Sequence, residues 1–422
     1  MTRMSWVIAG GVAAMLAAGC DGKVKGTGAA GAVGGAGNTG EAGTGNLGGG
    51  AGMGGVGMGG AGMGGAGAGG AAGGGGAGMG GAGGTGGAMA AERRLLVAAT
   101  DYMTPGQLFE LDLDTRTPRS RAATGEDPVL RAFGGKVLLV NRFGATNADN
   151  VAALDPMTLM GQQHSTGPGS NPQDIACVSL ARCYVAVYGA GKLPVMNLET
   201  GARVADVDLA SFDPDGVPNA AAVYVAGTTA YVAIQRLDMA FQPRGVGQIV
   251  RIDTATNAVA GAIDLTTSNP TGFIQARPGT DELCVATSGD LSGTQGGIEC
   301  WSKTSNQRTG FLAQASDLGG YVSGWALSRD GQRGWAAVNK VFPKSELRAF
   351  TPGGSAGARI GTSDGITDVV LDDRGELWAV DGTMGRKGLR VYSATSGAEI
   401  TTAPIALGAL PPVFQNGMIL LP

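Results

Sequence analysis

Histidine is nearly absent from this chain: His164 is the only one among 422 residues. It lies in a polar stretch and reads as solvated, so few catalytic constellations are on offer. No Cys-x-x-Cys spacing occurs, which removes the usual zinc and redox motifs. Charged residues make up only 15 % and the formal net charge is −4. No basic stripe or Arg cluster stands out, which argues against nucleic acid as a partner. Helical periodicity is missing throughout. No apolar run reaches the length that spans a bilayer.

What is abundant is glycine, 79 residues in all, 39 of them before residue 90. That tract also contains no proline and no strict triplet period, so it is not collagen. A pentad recurs in it, as in Gly54-Gly55-Val56-Gly57-Met58 and Gly59-Gly60-Ala61-Gly62-Met63. Such a segment has too little side chain to bury against its ordering entropy and is expected to be a flexible tether. A Gly-rich coil of about 70 residues has an r.m.s. span of roughly 45 Å.

Upstream of the tract, Arg3 precedes an apolar stretch of a dozen residues, 7–18, the length of an export signal's h-region. It ends Leu16-Ala17-Ala18-Gly19-Cys20. This resembles the lipobox of bacterial lipoproteins, in which small residues precede a Cys that is acylated, for example with palmitate, and becomes the mature N-terminus. The family prefers Leu three residues before the Cys, where Ala17 stands here. The resemblance implies lipidation at Cys20 and a place in the cell envelope: the outer membrane, the cell surface or the periplasmic face of the inner membrane. The expected organisation is a signal peptide over 1–19, a tether over 20–90 and a folded region over 92–422.

The folded region repeats one phrase: Leu95-Leu96-Val97-Ala98, Val137-Leu138-Leu139-Val140, Tyr184-Val185-Ala186-Val187, Tyr231-Val232-Ala233-Ile234, Cys284-Val285-Ala286, Trp335-Ala336-Ala337-Val338 and Trp378-Ala379-Val380. The copies lie about 40 to 53 residues apart, the range of β-propeller arrays. Each repeat reads as four strands separated by turns. In the third, these are a first strand ending at Cys177, a second from Cys183, a third over 193–198 and a fourth over 202–209. Complete repeats start near 127, 169, 217, 269, 321 and 365. The N-terminal stretch 94–123 supplies later strands of a further repeat and 413–421 its early ones, which closes seven blades. Both Leu95-Leu96-Val97 and Ile419-Leu420-Leu421 look like second strands, and that surplus leaves an eight-bladed ring open. A closed ring removes exposed strand edges and is expected to be a monomer.

With one Cys acylated, four remain in two local pairs. Cys177 and Cys183 flank a turn, and Cys284 and Cys300 fall on consecutive strands of one repeat. Both pairs are expected to be disulfides in an oxidising compartment. The repeats resemble propellers named for a Tyr-Val-Thr-Asn strand, which include lactonase-like members. The stretch from Val207-Asp208-Leu209 to Gln235-Arg236-Leu237-Asp238 is similar to uncharacterised propeller lipoproteins of myxobacteria-like bacteria. The resemblance implies the fold and brings no established activity.

Second-to-third strand connections are long at 141–150, 235–248, 287–297 and 339–346. Long loops on one face of a rigid scaffold suggest a binding surface there. Asp127, Asn171, Asp174, Asn219, Asn269 and Asp368 precede or open first strands and could ring the channel mouth. Such a ring has the oxygen chemistry to hold calcium; the same residue types also cap turns. Gly361-Thr362-Ser363-Asp364-Gly365 matches a nucleophile-elbow pattern but has a strand after it rather than a helix, so it reads as a turn. Asp213-Pro214-Asp215-Gly216 reads as a turn too. Trp301, Trp325, Trp335 and Trp378 are expected to fill cores between blades. With no catalytic set and no cofactor indicated, the leading expectation is a membrane-anchored module that binds an envelope protein or glycan. The alternative is a lactonase-like or quinoprotein-like enzyme that uses a channel cation or a quinone.

Overall fold

In a computed structural model, residues 93–289, 294–340 and 344–422 are described; the signal, the tether and Cys20 lie outside them. The described chain is almost entirely β, with one short helix at Ala315–Leu318 and a single 3-10 turn at Ala210–Phe212. Its strands form seven sheets, six of four strands and one of three. Each sheet is a blade, and in blades 2 to 7 the first strand in chain order faces the central axis. The axial strands of blades 2 to 7 are Pro128–Phe133, Pro172–Ser179, Ala220–Ala226, Pro270–Ala276, Tyr321–Leu327 and Ile366–Leu371.

Blade 1 joins the two ends of this region. Met418–Leu421 is its axial strand and pairs antiparallel with Arg94–Ala99, which continues to Gln107–Asp112 and Pro118–Ala123. The surplus second strand is thereby accounted for: Ile419-Leu420-Leu421 is a first strand. An apolar triplet looks alike in either position, and only its pairing distinguishes the two. The ring therefore has seven blades, not eight. Blade 7 keeps three strands, Ile366–Leu371, Glu376–Asp381 and Gly388–Ser393; single bridges from Leu389 to Ile405 and from Tyr392 to Glu399 stand where a fourth would lie.

The repeated apolar phrase is explained by where its two faces go. Successive side chains of a strand point to opposite faces of its sheet. In Arg94–Ala99, Leu95 and Val97 join a core shared with blade 7, while Leu96 and Ala98 join one shared with blade 2. In Lys136–Asn141, Val137 and Leu139 face blade 1, whereas Leu138 and Val140 face blade 3. With both faces buried, a second strand must be apolar at every position rather than at alternate ones. Seven such cores result, one per blade junction. The four expected tryptophans fill them: Trp301 between blades 4 and 5, Trp325 between 5 and 6, Trp335 between 6 and 7 and Trp378 between 7 and 1.

Both disulfides form, Cys177–Cys183 and Cys284–Cys300, each across neighbouring antiparallel strands of one blade. They close short loops, so by chain entropy each contributes about 2–3 kcal/mol. His164 differs from its expected exposure. It is 5 % exposed, and its Nε2 lies 3.0 Å from the Leu198 carbonyl of the next blade. The ring fills the space over Gly201, where a Cβ would collide with it. Its polar neighbours in sequence hid a packing role set by another blade. The two motifs read as turns are turns. Asp213 and Asp215 both pair with Arg244, and in the other Ser363 donates to Asp381 while Asp364 pairs with Arg359.

Candidate functional site

A cavity of about 630 Å³ occupies the lumen between the axial strands of blades 1, 2, 5, 6 and 7. It runs from Asp368 and Asn416 to the first-to-second strand turns, where Gly134, Pro278, Arg329 and Pro422 line it. That end is opposite the long loops. The volume is in the range of small-molecule sites. Its walls are largely apolar, with Leu130, Phe133, Phe273, Trp325, Val370 and Ile419 among them.

Blades 3 and 4 contribute no lining residue to this space, and an ion pair stands at its border with them. Arg131, on the axial strand of blade 2, donates from Nε and Nη2 to the two carboxylate oxygens of Asp174 in blade 3, both at 2.7 Å. The guanidinium carbon sits 3.0 Å from the ring centroid of Phe273, from blade 5. Asp174 also accepts the N–H of Ile175 at 2.8 Å and of Val223, in blade 4, at 2.9 Å. Four donors thus satisfy a fully buried carboxylate, the condition under which a buried charge is tolerated.

Asp368 in blade 7 repeats this arrangement without the cation. It follows a bulge, as Asp174 does. Each is paired with the fifth residue of its second strand, Val380 and Ala186 respectively. Its Oδ1 accepts the N–H of Val369 at 2.9 Å and its Oδ2 that of Asn416, in the lead-in to blade 1, at 2.8 Å. No charged side chain among the described residues pairs with it. The reason is one residue in the preceding blade. Arg131 pairs with Leu138, the third residue of its second strand, and the residue paired with the third position in blade 6, Ala336, is Trp325. Trp325 packs into the core between blades 5 and 6 and brings no charge. Burial pushes the Asp368 carboxyl up to about 7, and its two backbone hydrogen bonds pull it down only in part. Gly324 makes room for it, since a Cβ there would collide with Oδ1.

A carboxyl raised from 3.8 holds its proton in the folded state over a pH range where the unfolded chain has lost it. The stability this confers is present in full below about pH 4 and is lost as pH rises through about 7. Urea unfolding of the native chain and of Asp368→Asn should therefore diverge with pH. The native chain is expected to lose on the order of 4 kcal/mol relative to the variant between pH 4 and pH 8. Parallel pH profiles would show that Asp368 titrates normally.

The other residues expected at the channel mouth stand apart from the cavity. Asp127 is buried against Arg142, and burial raises its pKa. Asn171, Asn219 and Asn269 adopt φ of 46°, 54° and 56°, left-handed conformations that Asn tolerates at turns. Their side chains serve local bonds. Asn171 Oδ1 accepts from Gln173 Nε2 at 2.7 Å, Asn219 Oδ1 from the Leu237 N–H at 2.9 Å, and Asn269 Nδ2 donates to the Gly289 carbonyl at 2.8 Å. Tyr188 and Gln235 extend this polar packing, the hydroxyl donating to Gln235 Oε1 at 2.6 Å while Gln235 Nε2 donates to the Pro270 carbonyl at 2.8 Å. Of the six, only Asp368 lines the cavity, and Asp174 bounds it through Arg131. Among the described residues, no three His, Cys, Asp or Glu side chains converge as a metal site. Sequence reasoning missed Arg131, although a lone charge inside Pro128-Val129-Leu130-Arg131-Ala132 was a visible signal.

No family model matches this chain, and no curated protein matches it in sequence. Solved structures do match. A protein of Bacteroides uniformis provisionally assigned as a 6-phosphogluconolactonase aligns over 78 % of this chain and 99 % of its own, with TM-score 0.56 and 16 % identity. One of Bacteroides fragilis with the same provisional assignment aligns over 79 % and 98 %, with TM-score 0.55 and 14 % identity. At these identities the likeness is one of fold.

Proposed function

We propose that this chain is an exported, lipid-anchored propeller that binds a small ligand in its lumen and holds it within the cell envelope without turning it over. The supporting observation is the 630 Å³ cavity itself, with apolar walls, open toward the tight-turn end. At the opposite end the polar groups around Asp127, Tyr188 and Gln235 are bonded to one another, which leaves less free chemistry there than the long loops suggested. The two disulfides support export, and the sequence ending at Cys20 supports the lipid anchor. Among the described residues no helix is long and apolar enough to cross a membrane, so in this reading the acyl chains do the anchoring.

The neighbours' provisional assignment names the competing reading, hydrolysis of a phosphorylated sugar lactone. Such a substrate is polar and anionic, and the walls of this cavity are mostly hydrocarbon. Titration of the purified chain with the apolar dye N-phenyl-1-naphthylamine should give one saturable site per chain. Incubation with 6-phosphogluconolactone should give no hydrolysis above the spontaneous rate. Enzymatic hydrolysis would replace this reading with the catalytic one. In a bacterial host that lipidates exported proteins, the chain should incorporate radiolabelled palmitate and partition with membranes. Cys20→Ala should abolish both; label retained in that variant would remove the anchor from the proposal.

A further inference from the structure

We propose that the ligand carries a single ammonium or guanidinium group on an apolar body and that Asp368 is the seat of that cation. The inference rests on the cavity's being a ligand site and adds the chemical class of the ligand. It is carried by a comparison internal to the ring. Asp174 and Asp368 occupy the same register position of two axial strands. Each takes one N–H from its own following residue and one from the following blade. Across the lumen, Asp174 shows what completes such a carboxylate: a guanidinium bonded to both oxygens, with its central carbon over an aromatic ring.

At Asp368 the residue that would supply the guanidinium is Trp325, and the cavity lies beside it instead. Each Asp368 oxygen accepts one N–H, so each keeps a lone pair for a further donor. A ligand cation placed there would make the bonds that Arg131 makes at Asp174. The apolar walls formed by Leu130, Val370 and Ile419 would cover its body.

The cations at the mouth do not compete for this role. Arg94 pairs with Glu110 and Lys136 with Asp155. Arg329 lies on the first turn of blade 6, at the outer end of the cavity. Arg131 is already neutralised by Asp174. A ligand anion would meet an uncompensated carboxylate at the inner end, which disfavours fatty acids and phosphate esters whose head points inward.

The test is calorimetric titration of the full chain at pH 8 with four probes of equal length: octylguanidinium, octylammonium, 1-octanol and octanoate. The two cations are expected to bind at least tenfold more tightly than octanol, with octanoate weakest. In Asp368→Asn the advantage of the cations over octanol should shrink about tenfold while octanol binding stays within twofold. Should that variant fail to fold, the native chain supplies a second readout. At pH 7, titration in buffers of different ionisation enthalpy should show proton release on octylammonium binding and none on octanol binding. Octanol binding equal to that of the cations, tighter octanoate binding, or absent proton release would each overturn the assignment to Asp368 while leaving the cavity a ligand site. Failure of all four probes to bind would remove the ligand site itself.

Discussion

Replacing Arg131 with methionine is expected to destabilise the ring by about 3–5 kcal/mol at pH 8, the range for breaking one half of a buried ion pair. The pair is nearly dry, with side-chain exposures of 9 % for Arg131 and 0 % for Asp174. Methionine preserves much of the hydrocarbon stem but leaves the Asp174 carboxylate with only the N–H groups of Ile175 and Val223. That is the state in which Asp368 already stands. The variant carboxyl can relieve itself by taking up a proton, so the cost should be smaller at pH 5 than at pH 8. The double variant Arg131→Met, Asp174→Asn removes the stranded charge and should recover part of the loss. Urea unfolding of the native chain, the single variant and the double variant at both pH values measures this. A single-variant cost below about 1 kcal/mol at pH 8 would show that desolvation of the pair cancels its attraction. The same substitution takes away the group stacked on Phe273, so it should also widen the lumen toward blades 3 and 4.

A chain that stops after Gly417 is expected to yield no folded monomer. The lost strand, Met418–Leu421, holds Arg94–Ala99 at four paired positions. The Arg93 N–H to Leu421 carbonyl bond, 2.9 Å, goes with it. Met418 and Leu421 are 4 % and 5 % exposed, so each stabilises the fold by about 1.5–3 kcal/mol. Ladder hydrogen bonds add roughly 1 kcal/mol apiece. The total, on the order of 5–10 kcal/mol, rivals the whole stability of an ordinary domain. The strand Arg94–Ala99 would then present an open edge of Leu, Val and Ala, which invites pairing with other chains. Size-exclusion chromatography and thermal melting decide the matter. A truncated chain that elutes as a monomer and melts within a few degrees of the full one would show that the ring is held closed by other contacts.

Much of the architecture was legible because it is written locally. Second strands buried on both faces must be apolar throughout, and seven of them stand out at blade spacing. The disulfides were readable because each pair lies within one repeat, where antiparallel neighbours are separated by a single turn or loop. The tryptophans were readable because large apolar residues in such strands have only the blade junctions to fill. His164 was misjudged because its surroundings come from Leu198 and Gly201 in the next repeat, while its sequence neighbours are polar. Ile419-Leu420-Leu421 was misjudged because strand composition does not encode position within a blade. Loop length drew attention to one face, whereas the cavity reaches the other, where the connections are tight.

The order of residues by itself determined an all-β ring and the pairing of its cysteines, since these follow from side-chain period and from contacts within single repeats. Which buried acid is neutralised and which is left facing the lumen was decided only in three dimensions. Arg131 and Asp174 are 43 positions apart, on different blades. Phe273 comes from a third blade across the axis. Closure brings the axial strands together, and the bulges ahead of Asp174 and Asp368 set which side chains meet there. No local pattern carries that information.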